Sequence, residues 1–281
     1  MKSIVKPETR LEEYDLLIEL KNQGVSKLEV VKRITREFGV PVGAVYGWYS
    51  GRCVAWGRKG ELIERPELFY VLGALLGDGC TYNWKVTQHR VILIGDKIFT
   101  EKYASMLINC IDIPVKAYID RNKNIWFVNT NSHKLYTLFD RLRKNVDELE
   151  SMIELSGRNS ALLFIEGFFD AEGCVKIIRE PVRKTPKICL DITNTNYGYL
   201  EFIRKLLREY LSIDARYSVQ KPEIGKDGCL RQVAYHLRIY KKEYVRRFFE
   251  NIHTTKLKEE KKIYVYNWLN REALALKRVS I

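Results

Sequence analysis

In the first fifty residues, apolar side chains recur at helical spacing. Leu11, Leu16, Leu17 and Leu20 fall on one face, and Asn22-Gln23-Gly24 ends that run. Ser26 with Glu29 three residues on is a capping-box pattern. It opens a second helix with the stripe Leu28, Val31 and Ile34, closed by Gly39. After Pro41 a third short run covers residues 42–49 and ends at Ser50-Gly51-Arg52, with Trp48 as its core anchor. Three short helices in this order predict a helix-turn-helix-like module over residues 1–58. Residues 56–60 read as a basic linker.

Beyond residue 60 the pattern repeats. Tyr70-Val71-Leu72-Gly73-Ala74-Leu75-Leu76-Gly77-Asp78-Gly79-Cys80 and Phe164-Ile165-Glu166-Gly167-Phe168-Phe169-Asp170-Ala171-Glu172-Gly173-Cys174 are two versions of one apolar helix. Each places small residues four apart, Gly73 with Gly77 and Gly167 with Ala171, and each ends in an acid and a glycine. Residues four apart share a helix face, and small ones let two backbones approach closely. Gly79 and Gly173 are expected as left-handed caps. Packed side by side, the helices would bring Asp78 and Glu172 together at two C-terminal ends. Helix dipoles and mutual repulsion both disfavour carboxylates there. A hard divalent cation such as magnesium relieves both.

The periodicity after each motif also repeats. Strand-like runs at 82–85 and 90–94 precede a helix at 96–110, strands at 115–119 and 125–129, and a helix at 133–143. The second copy reads 175–178, 188–193, a helix at 197–211, 215–220, 233–240 and a helix at 243–252. Its extra residues fall in two basic hairpin connections, 179–187 and 221–231. The order αββαββα, twice, predicts an α+β fold with antiparallel sheets. The boundaries are 59–155 for the first repeat, 156–272 for the second and 273–281 for a C-terminal tail.

Composition narrows the function. Among 281 residues, 48 Lys and Arg stand against 35 Asp and Glu, a net charge of +13, which points to a polyanionic partner. No apolar run reaches the roughly 20 residues of a membrane span, and no signal peptide opens the chain. An intracellular protein of cytoplasm or nucleoid, not secreted and without a membrane partner, is expected. The six cysteines form no CxxC pair, and neither they nor the four histidines complete a zinc spacing. Trp84, Lys85, Arg90, Lys116, Lys176, Arg179, Arg183, Lys184, Arg216, Lys221 and Arg231 lie on or beside the expected strands and hairpins, suited to base edges and phosphates. Tyr46, Tyr49 and Arg52 are the expected contacts of the N-terminal module.

The paired motifs and the repeated element order resemble the LAGLIDADG homing endonucleases in their single-chain, two-motif form, over about residues 66–270. Asp191-Ile192-Thr193-Asn194-Thr195-Asn196 resembles the end of that family's second strand. The resemblance implies a pseudo-two-fold monomer, its sheets forming a saddle on double-stranded DNA, with metal-dependent phosphodiester hydrolysis across the minor groove of a long site. It implies Mg2+, roughly two or three ions between the acids and DNA. Asp78 and Glu172 match the metal-binding acids, and the main-chain carbonyls of Gly77 and Ala171 the backbone ligands. The strand-end position of the second repeat is Asn194, an expected catalytic auxiliary, and that of the first is Gly95. Neither is basic, although family members usually carry lysine or glutamine near the metal, and Lys176, Arg90 and Lys241 are candidates for that cation. Asp170 is not assigned to the metal. The alternatives are an inactive sequence-specific DNA-binding regulator and an RNA maturase acting on intron RNA. Val279-Ser280-Ile281 carry no splice-junction residues, so a free-standing protein rather than an intein is expected.

Overall fold

A computed structural model describes residues 9–53, 55, 60–84, 88–179, 186–224 and 229–279. Three helices open the chain: α1 (Thr9–Asn22), α2 (Lys27–Phe38) and α3 (Val42–Tyr49). The Ser26 hydroxyl accepts from the Glu29 N–H at 3.4 Å, and Gly39 caps the second helix at φ 66°. A Ser cap of this kind contributes about 1 kcal/mol. Leu17, Val30, Val31, Ile34, Val45 and Trp48 form a core of their own. Leu28, expected on that stripe, is 57% exposed, and Val30 takes the inward place. The helix turns by about 100° per residue, so the inward face runs through residues 30, 31 and 34, and position 28 lies outside it.

The remainder is built twice. The first copy is α4 (Glu67–Asp78), β1 (Gly79–Trp84), β2 (Gln88–Gly95), α5 (Lys97–Ile108), β3 (Ala117–Asp120), β4 (Ile125–Asn131) and α6 (His133–Leu142). After α7 (Val146–Ser156) come α8 (Arg158–Glu172), β5 (Gly173–Ile178), β6 (Lys187–Asn194), α9 (Tyr197–Leu211), β7 (Arg216–Gln220), the small hairpin β8 (Glu223–Ile224) and β9 (Leu230–Arg231), β10 (Ala234–Ile239) and α10 (Lys242–Asn251). The sheets are antiparallel with equivalent orders, β1-β2-β4-β3 and β5-β6-β10-β7. The hairpin β8–β9 accounts for one expected insertion. A last helix, α11 (Glu259–Val279), runs through the boundary expected at residue 272.

One core spans both copies. Val91, Leu93 and Val128 face it from the first sheet, and Ile188, Leu190, Ile192, Leu237 and Ile239 from the second. Strand residues alternate between faces, so the residues between these look away from the helices. The α4–α8 pair lies at the centre. A Cβ on Gly73 would stand 2.2 Å from the Phe164 carbonyl oxygen, and one on Gly167 2.1 Å from that of Tyr70. The two backbones touch at reciprocal points, as the small-residue spacing predicts.

Candidate active site

Both central helices run into their strands without a break. Gly79 and Gly173 are not the left-handed caps expected: their φ, ψ are −87°, 149° and −85°, 154°, ordinary extended values. Each N–H bonds back into the last turn, to the carbonyls of Leu75 and Phe169. A side chain would collide with those carbonyls, at 2.4 Å in both copies. Glycine is needed here for closeness, not for positive φ.

This geometry leaves Asp78 and Glu172 as the last residues of two touching helices. Just before them, a Cβ on Gly77 would stand 2.4 Å from the Ala171 Cβ and 2.9 Å from the Glu172 Cγ. Asn194, ending β6, donates through Nδ2 to Glu172 Oε1 at 2.7 Å. Burial, with the Asp78 charge beside it, pushes the Glu172 carboxyl up to about 7, against the opposing pull of Asn194 and the Lys256 charge. Asp78 is more open to solvent, and its carboxyl is also raised by withdrawal from water, opposed by Lys256. Among the described residues no three His, Cys, Asp or Glu gather as a metal cluster. A metal here would use two carboxylates and main-chain oxygens, with Gly77 and Ala171 adjacent. That hard-oxygen set suits magnesium, and two carboxylates held close against their own repulsion are what a divalent cation would relieve.

Lys256 is the residue that sequence reasoning missed. Its ammonium lies 5.6 Å from the centre of the Phe99 ring, and Phe99 packs where a Gly95 side chain would go. Gly95 is the first repeat's counterpart of Asn194, so Lys256 lies beside the place left without a polar group. The expected cations are engaged elsewhere. Lys176 pairs with Asp191, and Lys241 sits over the Tyr244 ring at 4.8 Å. Arg90 stands opposite Tyr82 and Asn131 on the sheet.

A buried ion cluster anchors the loop carrying Lys256. Asp170, 0% exposed, accepts from Tyr70 Oη at 2.9 Å, Lys102 Nζ at 2.8 Å, Thr254 Oγ1 at 2.5 Å and the Thr255 N–H at 2.7 Å. Glu166 accepts from Lys102 at 2.7 Å and from the His253 N–H at 2.8 Å. Asp170, kept off the metal in the sequence reading, is thus fully occupied in positioning. Nothing in the sequence around Thr254-Thr255-Lys256 signals this role, because its partners come from α4, α5 and α8.

The outward sheet faces differ in character. The second carries Lys176, Asp191, His236 and Arg238. Asp191, also 0% exposed, accepts from Lys176 and from Arg238 Nε at 3.3 Å and meets His236 Nδ1 at 3.2 Å. The first presents Tyr82, Ile92, Ile94, Tyr118 and Phe127 around Arg90, with the Tyr118 and Phe127 rings 5.9 Å apart. Lys116, Arg179, Arg216, Lys221 and Arg231 are exposed at strand ends and connections. The side chain of Trp84, and the residues Lys85, Arg183, Lys184 and the linker 56–59, lie outside the described residues. In the N-terminal module Tyr46 and Tyr49 are half-buried, under Lys27 at 4.8 Å and Lys21 at 5.3 Å, while Arg52 is exposed.

A family model described as a LAGLIDADG-like domain matches residues 159–253. The matched residues lie within the second repeat. This is the family that the paired motifs resemble. An uncharacterized protein of Methanocaldococcus jannaschii is 28% identical over 244 residues, covering 82% of this chain and 83% of its own. The chain is similar in fold to I-DmoI in complex with DNA and Mn, at 21% identity and a TM-score of 0.45, covering 66% of this chain and 96% of that one. It is also similar to the I-LtrWI LAGLIDADG homing endonuclease bound to target DNA, at 12% identity and a TM-score of 0.44, covering 74% and 91%. No helix among the described residues is long and apolar enough to cross a membrane.

Proposed function

We propose that this protein is a site-specific, double-strand DNA endonuclease that hydrolyses phosphodiesters with divalent metal. The observation carrying this reading is the meeting of Asp78 and Glu172 at touching helix ends, with the Glu172 carboxyl raised to about 7. A scaffold has no use for that repulsion, whereas catalytic groups commonly cost stability in this way. Asp78, Glu172 and the main-chain oxygens of Gly77 and Ala171 would hold magnesium, which supplies a Lewis acid and an activated water. Asn194 keeps one Glu172 oxygen oriented. The Lys256 charge favours the ionised forms of both acids and lies on the side that lacks an asparagine. The outward sheet faces read base edges, and the exposed lysines and arginines neutralise phosphates. Residues 1–58 extend the site by one flank, with Arg52 as the exposed contact. The chain acts as a monomer, since both half-sites are met by one molecule.

The test pairs supercoiled-plasmid cleavage, with magnesium and a library-selected site, with thermal melts. Asp78→Asn and Glu172→Gln should each abolish double-strand cleavage, leave DNA binding without metal equal or tighter, and leave melting equal or higher. Wild-type cleavage by both variants would end the nuclease reading.

A further inference from the structure

We propose that the cavity among the helices of the first repeat is a binding site for an amphipathic carboxylate, a small molecule with an apolar body and one anionic head. The cavity holds about 830 Å³. Small-molecule sites are usually clefts of roughly 300–1,000 Å³, mostly apolar, and they favour the places where domains meet. The lining residues here come from α1 of the N-terminal module, from the approach to α4 and its first turn, and from α6, α7 and the start of α8. A ligand among these helices leaves the outward faces of both sheets free. Pro66 and Asp78 stand at opposite ends of α4, so the cavity and the acid pair are a helix length apart, roughly 17 Å.

The walls are apolar and the lip is cationic. Leu11, Leu62, Leu68, Phe69, Leu138 and Met152 supply the walls. Leu155 stands among the lining residues at 89% exposed, so a ligand that covers it removes apolar surface from water. Met152 can adapt its shape to an apolar body. Arg65, Lys134 and Arg141 face Glu64 as the one acid among the described lining residues. Arg141 is already engaged, its Nε 3.0 Å from Glu148. Arg65 and Lys134 are exposed and make no ion pair among the described residues.

One ligand chemistry uses both features. A neutral apolar molecule leaves the two cations without a partner, and a cationic amphiphile is repelled by them. An inorganic anion leaves the apolar walls in water. A carboxylate on an apolar body satisfies all three demands: the arginine fork takes it through two N–H groups, and the lysine adds a point charge. The site stands on these residues alone and does not depend on the nuclease reading.

Calorimetric titration of the full chain tests it, with decanoate as the probe and decan-1-ol, decyltrimethylammonium and inorganic phosphate as comparisons. We expect saturable one-to-one binding of decanoate, at least tenfold tighter than that of decanol, and no saturable binding of the other two. Arg65→Met with Lys134→Met should weaken decanoate at least tenfold and leave decanol unchanged. Thr137→Trp sets a large ring on the cavity wall from an exposed position and should abolish binding of both, with the melting of the free protein unchanged. Lys123→Met, at an exposed lysine outside the cavity, should change nothing. Absence of saturable decanoate binding overturns the site, and equal binding of decanoate and decanol overturns the role of Arg65 and Lys134. Dimerisation in sedimentation that Leu155→Ser abolishes and decanoate does not compete with also overturns it, and gives the cavity to a second copy of the chain. An acidic amphipathic helical peptide that binds where decanoate does not overturns it in favour of a protein partner.

Discussion

Helix α8 carries Glu166 and Asp170 where its counterpart α4 carries Leu72 and Leu76. In the first repeat these positions fill the common core; in the second they hold Lys102 and the loop at residues 253–255. At the helix ends, Asn194 bonds Glu172, while Gly95 offers Asp78 nothing and Lys256 lies beside the gap. On the outward faces, a charged network around Asp191 stands against an apolar face around Ile92 and Phe127. One topology, repeated, thus carries two different polar arrangements. The helix contact is symmetric because the backbone requires it. The side chains around it are under no such constraint and differ between the two halves.

The largest effect should come from the symmetric part. Gly73→Leu and Gly167→Leu each drive a side chain into the opposite helix's backbone. Ordinary overpacking costs about 1–3 kcal/mol through shifting side chains. Here a carbonyl blocks the way, so the two repeats should fail to assemble, and circular dichroism should show equal loss in both variants. A folded Gly167→Leu beside an unfolded Gly73→Leu would break the symmetry.

The asymmetric cluster comes next. Lys102→Met leaves Glu166 and Asp170 buried without their shared cation, at a cost of roughly 3–5 kcal/mol. Denaturant unfolding should report that loss, and Lys102→Met combined with Glu166→Leu and Asp170→Leu, the first repeat's chemistry, should recover part of it. Recovery without activity would separate stability from the positioning of Lys256.

What the sequence made legible follows from how local each signal is. The small-residue spacing, the acids at the helix ends and the alternation of the strands are local, and all eight principal strands lie where periodicity predicts them. Helix α7, helix α11 and the Leu28 orientation were not read. The polarity of α11 gives a weak apolar stripe, and the facing of α2 is decided by packing against α1 and α3. Asn194 is singled out in the sequence only by the family resemblance at its strand end, and its hydrogen bond to Glu172 is seen in the structure. Lys256 and Asp191 were not legible, since each takes its meaning from partners distant in sequence or across a sheet.

The outward faces should differ in what they read. Arginine and lysine suit guanine edges, whereas apolar side chains suit thymine methyl groups. Arg238→Ala should cost about 1–3 kcal/mol of discrimination, confined to one half-site. Asp191→Asn frees Lys176 and Arg238 from their shared anchor and should relax the same half-site while overall affinity holds or rises. Phe127→Ala should act only on the other half. Selection from a randomised DNA library checks all three, and a variant that relaxes both halves equally would remove the division.

The smallest effect concerns Asn194 and pH. Because the Glu172 carboxyl is raised to about 7 from an ordinary 4.5, the folded state holds an extra proton between those values. Stability from this group is therefore fully present below about 4.5 and is lost as pH rises through 7. Magnesium binding needs the ionised form, so metal affinity should rise over the same range. Asn194→Ala removes a hydrogen bond that favours the carboxylate, moving the carboxyl further up and the metal-binding limb to higher pH. Among the described residues Asp78 has no such partner to lose, so Gly95→Ala, if Phe99 yields to the added methyl, should leave the limb in place. Calorimetric metal titration at several pH values measures this directly. An unmoved limb in Asn194→Ala would mean that burial and the Asp78 charge alone set the carboxyl, and that the two ends are more alike than their hydrogen bonds indicate.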